Sequence, residues 1–170
     1  MRISFFFLML AVACAACNSN PKAGDKPTVT SETVSKNVRN DIAVKATGLE
    51  VEQAFLLFDD NRLVPQDNKV EVGQQVNLRL LIKGWKPVNG KVMLAASEKI
   101  TTDDGKTVLD EGNLFANYPD GVAEADAGVI TISATISRID KLFKYFEVAF
   151  RVWDKQSNDN VTGSYRLYLK

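Results

Sequence analysis

Any chemistry in this chain has to be done without an imidazole. Its 170 residues include no histidine and only two cysteines, Cys14 and Cys17. That removes Ser-His-Asp and Cys-His nucleophile systems, imidazole zinc sites and haem ligation by histidine. Carboxylates and lysine are what remain for acid–base work. Asp110-Glu111, and Glu124 with Asp126, are the paired carboxylates. Glycosidic hydrolysis needs such a pair across a deep cleft, about 5 Å or about 6.5–9.5 Å apart. A chain this short, spent on a core, has little left to build cleft walls. These residues therefore read as solvated loop acids, and the chain as a non-enzyme. Three loops, Asp59-Asp60-Asn61, Asp103-Asp104-Gly105 and Asn158-Asp159-Asn160, could bring oxygens to calcium. Calcium wants roughly six to eight of them at set spacing, and none of the loops has the EF-hand pattern. Asp, Asn and Gly are also what turns select. The expectation is three turns, with no metal and no cofactor.

Aromatic side chains are the better candidates for a binding surface. Trp85 lies in Lys83-Gly84-Trp85-Lys86-Pro87, and Phe115 and Tyr118 lie in a long irregular stretch. Exposed together, they would form a platform for a protein or glycan partner. The competing reading has Trp85 and Phe115 plugging the ends of the fold. Tyr145, Trp153 and Tyr168 fall opposite the apolar stripes of their strands, beside Glu147, Arg151 and Arg166. There they would cover a mostly wet sheet.

The two thiols have a different use. Met1-Arg2 gives a short cationic start, Ile3 to Val12 a nearly unbroken apolar run, and Ala13-Cys14-Ala15-Ala16-Cys17 a stretch of small residues. That is the layout of a secretory signal peptide. It is too short to span ~30 Å of hydrocarbon, which needs ~20 apolar residues. Small residues directly before a cysteine resemble the lipobox of bacterial lipoproteins, in which the cysteine is acylated and becomes the first mature residue. The resemblance places the lipid on Cys17, after Ala15-Ala16, with Cys14 as second choice. The chain departs from the family in having Cys14 where leucine is usual. Asn18, in place of an aspartate, implies the outer membrane, and the lack of an acidic run after the cysteine implies a domain facing the periplasm. Triacylation would give a stable anchor, and the mature chain would hold no disulfide.

Charge excludes other partners. Basic and acidic residues number 21 each, and losing the leader takes Arg2 with it. A balanced charge has no field to attract nucleic acid, and no basic cluster interleaves with aromatics. Hydrophobic residues at 45% with five prolines describe one folded domain. Residues 1–16 are read as leader, 17–40 as lipidated cysteine and flexible tether, and 41–170 as the domain. A tether of that length reaches ~25 Å root-mean-square. Val34, Val38 and Ile42 at four-residue spacing allow a short helix, and a strand from Ile42 is the alternative.

From Asp41 on, the elements that must position these residues are strands. Val76, Leu78, Leu80 and Ile82 alternate with Asn77, Arg79 and Leu81; Ile130, Ile132, Ala134 and Ile136 alternate with Thr131, Ser133 and Thr135. Asn89-Gly90 is a strong two-residue hairpin signal. Pairing across it sets even residues against odd ones, yet Leu80, Ile82, Val92 and Leu94 are all even. Either a bulge at Gly84-Trp85 absorbs one residue, or the two runs do not pair. Phe146, Val148, Phe150 and Val152 form one face of a strand, and Tyr165, Leu167 and Leu169 one face of the last. These two predict a hairpin over Asp154 to Asn160.

About seven or eight strands at this spacing predict an all-β fold, a single antiparallel β-sandwich. Asp126-Ala127-Gly128 before an alternating strand resembles the approach to the sixth strand of immunoglobulin-like domains. A transthyretin-like sandwich fits the same pattern. The expected function is non-enzymatic binding or scaffolding by a lipid-anchored module. Its partner would be an envelope protein, or a glycan or solute if the chain is an accessory lipoprotein. In size and layout it is also similar to the small sandwich lipoprotein of type VI secretion complexes. Cys17→Ala should move the protein from the membrane to the soluble fraction on cell fractionation, whereas Cys14→Ala should leave it anchored; the reverse result would reassign the lipid.

Overall fold

The computed structural model describes residues 37–137 and 141–170. Cys14, Cys17, the leader and most of the expected tether lie outside them. Strands are β1 (Asn37–Val38), β2 (Ala43–Thr47), β3 (Glu50–Phe58), β4 (Lys69–Val70), β5 (Gln75–Lys83), β6 (Lys91–Val92), β7 (Leu94–Thr102) and β8 (Thr107–Glu111). Then come β9 (Val122–Ala123), one helical turn α1 (Glu124–Ala127), β10 (Val129–Thr135), β11 (Phe146–Asp154) and β12 (Asn160–Leu169). The folded unit begins before residue 41: Asn37–Val38 runs parallel to β3, and Asn40 is buried. No helix forms over Val38 and Ile42.

Two sheets face each other. One has the order β1-β3-β5-β10; the other runs β2-β12-β11-β7-β8, with β4 added to β12. Alternation explains the layers. Val76, Leu78, Leu80 and Ile82 of β5 are buried, as are Ile130, Ile132 and Ala134 of β10 and Phe146, Val148, Phe150 and Val152 of β11. A fully buried Leu or Ile contributes about 2 kcal/mol from apolar area alone. Gly163 of β12 is demanded by this packing: a Cβ there would sit 2.2 Å from the Ala43 carbonyl oxygen and 2.5 Å from Cζ of Phe150.

The strand order is that of an immunoglobulin-like Greek key. Taking β3, β5, β7, β8, β10, β11 and β12 in turn, the first, second and fifth share one sheet, and the third, sixth and seventh the other. The fourth, β8, pairs with the third, as in the variable type of domain. This corrects one expectation. Asp126-Ala127-Gly128 leads into the fifth strand, β10; the sixth is β11. Alternation reports which face is buried and carries no information on a strand's place in the order.

Asn89-Gly90 also resolves. Both residues have positive φ, 53° and 74°, and Val88 and Lys91 exchange N–H···O bonds of 2.8 and 3.1 Å across them. The turn is local, because β5 and β7 lie in different sheets. No bulge at Gly84-Trp85 is needed. The β11–β12 hairpin forms as expected, from Phe146 opposite Leu167 to Trp153 opposite Asn160.

Polar order within the core centres on two asparagines. The Asn40 side-chain amide donates to the carbonyls of Val64 (3.2 Å) and Pro65 (3.1 Å) and to Oδ1 of Asn68 (2.9 Å). Its Oδ1 accepts from the Leu56 N–H at 3.2 Å. The Asn68 amide returns to the Asn40 carbonyl at 2.8 Å. Both backbones are left-handed, φ 58° and 53°, which asparagine tolerates better than most residues. Asn40→Ala should cost about 3 kcal/mol, because it orphans several buried partners, and should lower the urea midpoint without changing the slope; a loss under about 1 kcal/mol would show that water replaces the amide.

Candidate functional site

Loops from both sheets meet at one end of the sandwich. There β5 gives way to the β5–β7 connection, β8 to the stretch leading to β10, and β11 to the β11–β12 loop. Each loop is tied to another. Lys91 and Val92 pair with Ala123 and Val122 in the β6–β9 ribbon. The Glu124 N–H donates to the Gly90 carbonyl at 3.2 Å, and the Lys155 N–H to the Met93 carbonyl at 2.9 Å. Lys86 Nζ meets Asp159 Oδ2 at 2.8 Å. Gly121, φ 77°, passes so close to Val92 that a Cβ would lie 2.5 Å from its carbonyl oxygen.

Between the three loops is an open groove of about 410 Å³, lined by Val88, Lys91, Met93, Pro119, Asp120 and Gln156 among others. The predicted aromatics divide here. Trp85 and Phe115 are half-buried and pack on the core, which is the end-plug reading. The Trp85 indole N–H is buried without a hydrogen-bond partner. Tyr118 is 53% exposed and leans on Phe115, ring centroids 5.9 Å apart. Val88, beside the Asn89-Gly90 turn, is also 53% exposed. So the ring left for a partner is Tyr118, backed by Phe115.

Each acidic loop has one carboxylate held by a cation, Asp159 by Lys86 as above. Asp60 takes Arg62 at 2.5 Å, and its carboxyl is held below the usual range by that bond. Asp104 takes Lys141 at 2.6 Å and the Thr102 hydroxyl at 2.5 Å, and is held down to about 2. Among the described residues no three Asp, Glu, Cys or His side chains converge as metal ligands. On the outer face of β11 and β12, Arg166 stacks on Tyr145 (4.2 Å to the centroid) and Arg151 on Trp153 (4.9 Å). Tyr145 meets Tyr168 edge-on.

Sequence reasoning missed one residue, Glu98. It is 2% exposed, in the inward row Leu94, Ala96, Glu98, Ile100, Thr102 of β7, and its Oε1 has no hydrogen-bond partner. Burial, and secondarily the Glu111 carboxylate paired with it on β8, push its pKa up to about 7. On the same inner face Tyr165 of β12 is buried, its hydroxyl likewise unpartnered. Burial and the Glu98 charge push the phenol up. The period-two row was legible; extending it by one step past Ala96 would have put a carboxyl in the core.

No protein-family model matches the sequence, and none of the curated proteins does. Solved structures that are similar in shape include two at low identity. One is the C-terminal domain of Wzt, at 13% identity over 78% of this chain and 80% of that one, TM-score 0.49. The other is an immunoglobulin-like protein, PA1606, from Pseudomonas aeruginosa, at 12% identity over 75% and 96%, TM-score 0.35. The immunoglobulin-like assignment rests on the strand order.

Glu98 makes stability depend on pH. A folded-state pKa above the unfolded value means the native state binds the proton more tightly, so stability is full below about 4.5 and declines as pH rises through about 7. Melting temperature should fall between pH 5 and pH 8, and Glu98→Gln should flatten that fall. An equal fall in the variant would assign it to other groups.

Proposed function

We propose that this chain is an outer-membrane lipoprotein, anchored through Cys17 and facing the periplasm, whose sandwich is a non-enzymatic binding or scaffolding module. The leader, the small residues before Cys17 and Asn18 after it support the location. One structural observation carries the binding role. The three-loop end is cross-tied by its own hydrogen bonds, offers Tyr118 and Val88 to solvent, and holds an open groove lined by Val88 and by Pro119, the residue after Tyr118. A surface ordered before its partner arrives loses less entropy on binding. Loops at one end of such sandwiches are where immunoglobulin variable domains bind. Anchoring adds effective concentration, so even a weak docking face can hold a partner in the envelope.

An envelope protein is the partner class favoured here, since exposed apolar and tyrosine side chains on a pre-ordered surface are what protein interfaces select. A glycan stacking on Tyr118 is the second reading. A photo-crosslinking amino acid at position 118 in intact cells should give a covalent adduct with one envelope protein; the same probe at Arg151, on the outer face of β11, should not. Tyr118→Ala should leave the melting temperature unchanged and lower recovery of that protein at least fivefold. Absence of an adduct, together with retention of a glycan by the immobilised protein, would move the assignment to the second reading. Equal crosslinking at both positions would remove the loop end as the docking surface.

A further inference from the structure

Strand β8 is loosely held. It pairs with β7 alone. Of its five side chains only Leu109 is half-buried, and the other four are exposed. Its ion pair, Asp110 with Lys99 at 3.1 Å, lies in water on the outer face, where such pairs contribute little. The register also slips between Ile100 and Thr101. What holds β8 is therefore mainly its backbone ladder, with Leu109 opposite Ile100 and Glu111 opposite Glu98. That ladder runs on past the strand, where the Leu114 N–H donates to the Ala96 carbonyl at 2.7 Å. The chain then passes through Phe115 to Tyr118, whose N–H donates to the Phe115 carbonyl at 3.1 Å. The Tyr118 stretch thus hangs on β7 by the same row of bonds as β8.

Glu98 sits in the middle of that row. Its side chain points inward, is 2% exposed and has Oε1 unpartnered. Opposite it are Glu111 on β8 and Phe150 on β11. From β12 the polar group on the inner face is the Tyr165 hydroxyl, itself unpartnered. Ala96 and Ile100 on its own strand are apolar, as are the buried inward rows of β3, β5 and β10. Lys99 and Arg151, its neighbours in register, are exposed on the outer face. A protonated carboxyl can stay in such a site; an ionised one, with no cation facing it, is driven towards water. Of the walls around it, β8 is the one that buries least.

We propose that β8 is a proton-operated gate: with Glu98 protonated, β8 and the Tyr118 stretch stay on β7, and with Glu98 ionised they leave it together. Glu111 works in the same direction, since two carboxylates directly opposed across a ladder repel. Burial and Glu111 raise the Glu98 pKa to about 7 in the closed state, against an ordinary value of 4.5 once the group is solvated. The closed state therefore binds the proton more tightly. Release becomes easier by about tenfold per pH unit between those two values and levels off above the upper one. The gate itself stands on β7 and β8; its bearing on partner binding rests on the docking role proposed for Tyr118.

The test uses the full chain, expressed with its leader and extracted in mild non-ionic detergent. Hydrogen exchange is read by mass spectrometry and corrected for the intrinsic rate at each pH. Protection of residues 107–118 should fall about tenfold per unit between pH 5 and pH 7. At pH 7 it should lie at least about tenfold below that of β12, because a local opening precedes the global one. Glu98→Gln should remove the fall. Lys99→Cys with Asp110→Cys puts thiols at opposed outward positions, about 4.5 Å apart between Cα atoms and within disulfide range. Oxidised, that variant should protect 107–118 as well as β12; reduction should reverse it. Protection of 107–118 that ignores pH, that falls equally in Glu98→Gln, or that the disulfide leaves unchanged overturns the gate. Equal protection of 107–118 and β12 in the parent chain overturns it too, since the molecule then opens only as a whole. The photo-crosslinking amino acid at position 118 separates the gate from the docking role. Its adduct in intact cells should be at least threefold weaker at pH 8 than at pH 6, and equal yields overturn the coupling. No adduct at either pH, with exchange as expected, overturns the docking role and leaves the gate standing.

Discussion

The two sheets are held in register at one flank by a single polar tie, and much of the rest follows from it. The chain leaves the first sheet for the second twice in this region, from β1 to β2 and from β3 to β4, and returns each time, into β3 and into β5. Asn40 sits at the first crossing and Asn68 at the second. Through Leu56 the pair is bonded to the first sheet, and through the Tyr168 N–H, which donates to the Asn68 carbonyl at 3.0 Å, to the second. Apolar contacts alone are non-directional. They would press the sheets together without deciding how far one slides over the other. Hydrogen bonds between buried amides are directional and costly to leave unmade, so they select one offset.

Against that ordered flank, the interior contains an opposite kind of polar group. Glu98 and Tyr165 are buried with unpartnered oxygens on the inner face of the second sheet. The carboxyl resists ionising because it has lost water and gained no donor, and Glu111 adds a like charge. Where the asparagines specify, this pair weakens, and more so as pH rises. The two features lie in the same core, yet their contributions have opposite sign because one set of lone pairs and protons is matched and the other is not.

The loop end is a consequence of the Greek key. At this end two connections cross between sheets, β5 to β7 and β8 to β10, and the β11–β12 hairpin turns beside them, so three loops crowd together beyond Lys83, Glu111 and Asp154. Crowded backbone needs hydrogen-bond partners, and the loops find them in one another, through the β6–β9 ribbon and the bonds at Gly90 and Met93. Trp85 and Phe115 fill the space beneath. What is left outward is set by what the plug does not need, which is why Tyr118 is exposed and Trp85 is not.

Local rules made much of this legible from residues alone. Alternating apolar side chains predict which face of each strand is buried, because side chains in a strand point to opposite sides. Asn89-Gly90 predicts its own turn, since positive φ is a property of those two residues. The β11–β12 hairpin could be read because its strands are neighbours in the chain. Other features could not be read in this way. Whether β5 and β7 pair across that turn or separate into different sheets depends on which layer buries Val92 and Leu94, a choice made by strands more than thirty residues away. The rank of β10, the burial of Asn40 ahead of the expected boundary, and the division of Trp85 and Phe115 from Tyr118 were decided the same way. Pattern specifies a face; only the closing of two sheets on each other, a non-local event, determines what that face meets.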